Sequence, residues 1–136
     1  MTVPKTLLDT DILSNLMRRH PVAIGRAQTY LATYPQLTIS ILTRYEILRG
    51  FRARGATTQL TTFDRFCSAN EGLPLTDAII VRAADIYADL HQRGCLIGDA
   101  DILIAATTLE HGLVVATNNT SHFGRVAGLS LENWLT

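Results

Sequence analysis

Val3-Pro4-Lys5-Thr6-Leu7-Leu8-Asp9-Thr10-Asp11 decides how the whole chain is read. Val3 to Leu8 is a short β-type run, and a carboxylate, Asp9, follows it at once. Thr10 or Asp11 is well placed to cap a helix opening at Ile12. One cap suffices and Asp11 fills it better, which leaves Asp9 without a structural task. An acid just past a buried strand lies at the carboxyl end of an open parallel sheet, where such folds form their crevice.

Working outward, strands and helices alternate. Ile12 to Arg19 and Val22 to Tyr34 carry apolar residues at helical spacing, and Pro35 breaks the second. Leu37 to Ser40 is a second strand, Ile41 to Arg54 a helix closed by Gly55, and Thr57 to Ala69 another. Leu73 to Leu75 is a brief strand, with Thr76 as the next N-cap. Ile80, Ala83, Ala84, Tyr87 and Leu90 then mark one apolar helix face, and Gly94 ends it. Asp99 caps a helix over Ala100 to His111, and Gly112 stops it. Leu113 to Thr117 reads as a fully buried strand, and Leu129 to Leu131 as a last edge strand. Alternation with short links predicts an α/β sandwich around a mostly parallel sheet, in one domain over residues 1–136.

Composition agrees. At 136 residues, 47% hydrophobic and 18% charged, the chain suits one globular domain rather than a disordered segment. No run approaches the roughly 20 apolar residues of a membrane span. The start MTVPKTLLDT lacks a signal-peptide pattern, so a soluble cytoplasmic protein is expected. The formal charge is zero, yet eleven of the twelve basic residues are Arg. Arg suits bidentate phosphate contacts, and Arg44, Arg49, Arg52 and Arg54 cluster, although nearby acids can balance them. Cys67 and Cys95 stand outside any CxxC spacing and are expected to be reduced and packed. The four His show no metal-ligand spacing.

Three further acids join Asp9. Glu46 lies one turn beyond Leu42, at the edge of an apolar stripe, where a charge needs a partner. An ion pair with Arg44 or Arg49 is the plain alternative. Asp99 and Asp101 open a helix that is otherwise apolar or small. One of them can serve the helix dipole while the other faces the crevice; Asp101 is the favoured ligand, with Asp99 as cap or outer ligand. Carboxylates gathered so closely repel unless a cation lies among them, which predicts a divalent ion there. Ser40 and Thr117, at strand ends, are placed to orient those carboxylates through their hydroxyls, and Asn119 to hold a water beside the ion.

LLDTDILS (Leu7–Ser14), TRYEILRG (Thr43–Gly50), GDADILIAA (Gly98–Ala106) and VVATNNTSHFGRVAGLSLENW (Val114–Trp134) closely resemble the PIN domain. Within it they resemble the VapC ribonuclease toxins of bacterial VapBC pairs, over essentially the whole chain. The resemblance implies a mostly parallel five-stranded sheet flanked by helices. It also implies Mg²⁺- or Mn²⁺-dependent endoribonuclease activity that leaves 5′-phosphate and 3′-hydroxyl ends. The family's three acids fall on Asp9, Glu46 and Asp101, which would hold the metal. Asp99 stands where many relatives have no acid. Asn119 stands where many PIN nucleases have a fourth, and His122 where close relatives often have Glu. Oxygen ligands suit Mg²⁺ or Mn²⁺ rather than zinc. The resemblance further implies a tRNA or ribosomal RNA substrate, a homodimer, and a VapB-type antitoxin. Leu13, Leu16 and Met17 offer one side of an antitoxin groove, although Leu13 and Leu16 also suit the core.

Two other classes were weighed. Asp9-Thr10-Asp11 matches the DxD of haloacid-dehalogenase-like phosphatases, but that chemistry needs a downstream Lys and the single Lys is Lys5. A catalytically silent PIN-like module that binds RNA or antitoxin is the alternative to the nuclease.

Overall fold

The computed structural model describes residues 3–136. Met1 and Thr2, which belong to the expected domain, lie outside the described residues. Among the described residues the chain forms five strands and seven helices. They are β1 (Thr6–Leu8), α1 (Thr10–Met17), α2 (Pro21–Leu31), β2 (Thr38–Ser40), α3 (Ile41–Ala53), α4 (Thr57–Ala69), β3 (Glu71–Leu73), α5 (Asp77–Gln92), α6 (Asp99–Glu110), β4 (Val114–Ala116), α7 (Thr120–Phe123) and β5 (Leu131–Glu132). The sheet order is β3-β2-β1-β4-β5, and every neighbouring pair is parallel. β1 is central, pairing Leu8 with Ile39 on one side and with Ala116 on the other. Chain order reverses at β1, and the crevice of an open parallel sheet opens at such a point.

Two apolar layers cover the sheet. Leu7 and Val115 pack with Ile79, Ile86, Leu90, Ile102 and Phe123 of the later helices. Leu8, Ile39 and Ala116 pack with Ile12, Leu13, Tyr30, Ile47, Phe63 and Trp134. Successive strand residues thus serve opposite faces, as the two-residue repeat demands. Such short strands are covered on both sides, so they read as continuous apolar runs.

Several expectations shift. The third strand is Glu71–Leu73 rather than 73–75, and the last is Leu131–Glu132. The buried face of α5 is Ile79, Ala83, Ile86 and Leu90, while Ile80 and Tyr87 are exposed. Gly94 and Gly112 do end helices, with φ of 66° and 63° that a side chain resists. Arg19 takes the same left-handed turn, at φ 61°, without being glycine. Cys67 and Cys95 are free and half-buried. Among the described residues no helix is long and apolar enough to cross a membrane.

Candidate active site

The parallel strands deliver Asp9, Ser40 and Thr117 to one edge of the sheet. Asp9 is 6% exposed and caps α1 itself: its Oδ1 accepts from the Thr10 N–H at 2.8 Å. This corrects the assignment of the cap to Asp11 or Thr10. Its Oδ2 accepts from Thr117 Oγ1, also at 2.8 Å. Burial, then the charge of Asp11, push the Asp9 carboxyl up to about 7 from an ordinary 3.8, against the lowering effect of its two donors. Asp101 adds to the upward push.

Freed from capping, Asp11 turns into the same crevice. Its Oδ2 accepts from the Asn118 N–H at 3.0 Å. Its Oδ1 is buried and makes no well-formed hydrogen bond among the described residues, although the Ile12 N–H and the Asp9 carboxyl lie beside the Asp11 carboxylate and ease its charge. Burial also raises the Asp11 carboxyl above its usual range. An unsatisfied carboxylate oxygen beside a second buried carboxylate is costly in a folded protein.

Glu46 arrives from α3 and is tied to the site through Thr10. Thr10 Oγ1 donates to Glu46 Oε1 at 2.7 Å, and Thr43 Oγ1 lies 3.0 Å from Thr10 Oγ1. Thr10's single proton goes to the carboxylate, so Thr43 is the donor in that second bond. Arg49 approaches the other oxygen at 3.8 Å. The expected ion pair is therefore present, but loose and half-exposed. Of the clustered Arg, only Arg49 reaches Glu46; Arg44 lies beside Cys67.

Asp101 sits in the first turn of α6 and meets the start of α7. Its Oδ2 lies 3.3 Å from His122 Nδ1 and 3.4 Å from Asn119 Nδ2, and these two nitrogens are 2.9 Å apart. One ring nitrogen cannot accept from Asn119 and donate to Asp101 together, so the His122 tautomer selects between them. Thr117 Oγ1 also accepts from the Asn119 N–H at 2.9 Å, which joins this triangle to Asp9.

Two other expected residues fall elsewhere. Asp99 is exposed and is not the cap of α6; that position is Gly98, which has no side chain to cap with. Ser40 does not orient a carboxylate. It is fully buried and caps α3, its Oγ accepting from the Leu42 N–H at 3.1 Å. Sequence reasoning missed Thr10 and Thr43 and left Asp11 aside. The signal for Thr43 was its place three residues before Glu46, on the same helix face. Lys5 pairs with Glu71 at 3.2 Å, so no Lys serves the DxD as a phosphatase would require.

As the side chains stand, no three acids, imidazoles or thiols among the described residues close into a cage. The donor set nevertheless fits a hard divalent cation. Asp9, Asp11 and Asp101 offer only oxygen, their mutual repulsion is resolved by positive charge, and the orphaned Asp11 Oδ1 is a free ligand.

An α/β domain with an acidic crevice at the switch point of a parallel sheet is the class that fold and site define. The PIN domain family matches residues 6–129, and the chain belongs to it. Its relatives place it on the VapC branch. The VapC ribonuclease Y4jK of Sinorhizobium fredii is 32% identical, over 93% of this chain and 95% of that protein. The tRNA(fMet)-specific endonuclease VapC of Shigella flexneri is 28% identical, over 96% and 98%. A chain of the Rickettsia felis VapBC2 complex, bound to a DNA fragment from its promoter, superposes with a TM-score of 0.85 at 26% identity. The match covers 95% of this chain and 98% of that one.

Proposed function

We propose that the chain is an endoribonuclease dependent on Mg²⁺ or Mn²⁺ and the toxin half of a toxin–antitoxin pair. The observation that carries this is the buried couple Asp9 and Asp11, one oxygen of it unsatisfied, with Asp101 and Glu46 arriving from two other helices. Asp9, Asp11 and Asp101 would hold the cation, and Glu46 would reach it directly or through water. When bound, the ion supplies Lewis acidity at a phosphodiester oxygen and an acidified water. The protein's share is positional. Thr10 fixes the Glu46 carboxylate so that it orients the attacking water, and Thr117 fixes Asp9. Water adds to phosphorus, the P–O3′ bond breaks, and the ends are a 3′-hydroxyl and a 5′-phosphate.

Relatives named as tRNA(fMet)-specific endonucleases make tRNA the first substrate to try. Solved neighbours that are VapBC complexes support a VapB-type partner. A homodimer acting in the cytoplasm completes the reading. The test is cleavage of tRNA and ribosomal RNA with Mg²⁺, with Mn²⁺ and with EDTA, followed by mapping of the ends. Cutting that stops with chelator, and in Asp9→Asn and Asp101→Asn, supports the nuclease. RNA left intact under all conditions, with antitoxin binding retained, makes the chain a silent binding module.

A further inference from the structure

A cavity of about 520 Å³ runs between α1, α3 and α4, a size typical of ligand sites. It begins at the active site, because Thr10 and Glu46 form part of its wall. Arg18 and Arg54, the C-caps of α1 and α3, line it too, each eight residues beyond Thr10 and Glu46. At about 1.5 Å per residue their backbones stand roughly 12 Å beyond those of Thr10 and Glu46. Among the described residues neither has an acid within ion-pair distance, whereas Arg49, Arg82 and Arg93 each do. Two guanidinium groups without counter-charge, at one cavity, form a site for phosphate. The Arg54 guanidinium is held over the Phe51 ring, 5.4 Å from its centroid, and the ring itself packs edge-on against Phe63.

We propose that this cavity seats the RNA strand beside the scissile bond, with Arg18 and Arg54 on its phosphates. The inference rests on the nuclease reading and adds the residues that grip the strand. Met17, expected on an antitoxin groove, lines the cavity as well, but charge favours RNA: the lining offers two cations to a polyanion, and its one acid, Glu46, sits at the reacting end.

The test uses a fluorescein-labelled short single-stranded RNA of mixed sequence, titrated by anisotropy into the full chain in EDTA at several NaCl concentrations. For Arg18→Gln/Arg54→Gln, the slope of log Kobs against log salt shrinks by about 1.4, two contacts at about 0.7 each. Affinity at the lowest salt falls about ten-fold or more. The double Lys variant keeps the slope, since it keeps both charges. With Mg²⁺, the Gln pair loses cutting through KM, with kcat within about three-fold of wild type. An unchanged slope and affinity in a folded Gln pair overturns the proposal. So does RNA binding that stays intact while VapB-type antitoxin binding is lost, which gives the cavity to the partner protein. Should circular dichroism show the Gln pair unfolded, Thr58→Trp fills the cavity without removing charge. It then weakens RNA binding at unchanged slope, and wild-type binding there overturns the proposal. A wild-type chain that binds RNA in this way but never cuts it sinks the nuclease reading alone, because the binding arm needs no metal.

Discussion

The two oxygens of Asp9 serve different ends: Oδ1 caps α1 and Oδ2 faces Thr117 in the crevice. The residue thus caps a helix and lines the crevice at once, which explains why D-T-D could not be sorted by reading alone. Asp11 would cap a helix opening at Ile12, but the helix opens two residues earlier, at Thr10, which gives the cap to Asp9. Asp9, Glu46 and Asp101 were legible as candidates because each charge interrupts an apolar pattern. Asp11 was not, because a first-turn acid is ordinary. A raised carboxyl binds its proton more tightly in the folded state than in the unfolded one. In metal-free protein, stability should therefore fall as pH rises from about 4 to 7, by on the order of 2–4 kcal/mol from Asp9. Urea melts in EDTA at several pH values measure this; saturating Mn²⁺ should flatten the slope. At the same scale, Asp11→Asn in EDTA should melt above wild type, because it relieves the repulsion between two buried carboxylates. A clear loss would show that the carboxylate is held for structure. Asp99→Ala should leave cutting within about two-fold of wild type, since Asp99 is exposed and caps nothing.

At the scale of elements, the helix stops at Gly94 and Gly112 were readable, while the caps of α1 and α6 and the face of α5 were not. Ile79-Ile80 and Ile86-Tyr87 are adjacent apolar pairs, so two stripes fit a 3.6-residue period equally well. Packing chose Ile79 and Ile86 and left Ile80 and Tyr87 outside. Ile86→Ala should cost about 2–4 kcal/mol and Tyr87→Ala under about 1, by chemical denaturation. Equal costs would mean that a partner or second copy covers the outer face. The turn after α1 carries its own strain, with Arg19 at φ 61°. Arg19→Gly should raise stability by about 0.5–1 kcal/mol, read as a higher melting temperature.

For the whole molecule, the order β3-β2-β1-β4-β5 does what no single element can. It brings residues more than a hundred positions apart, Asp9 and Thr117, into one hydrogen bond. It also sets α1 and α3 side by side, so that Thr10 meets Glu46. The parallel architecture followed from alternation, but the meeting of these side chains required coordinates. The measurement that tests the central claim most directly is anomalous diffraction from crystals grown with Mn²⁺. The account places a peak among Asp9, Asp11 and Asp101, with at least two of their oxygens at direct ligand distance, about 2.0–2.2 Å. A crevice that stays empty of Mn²⁺ while the protein still cuts RNA would contradict it.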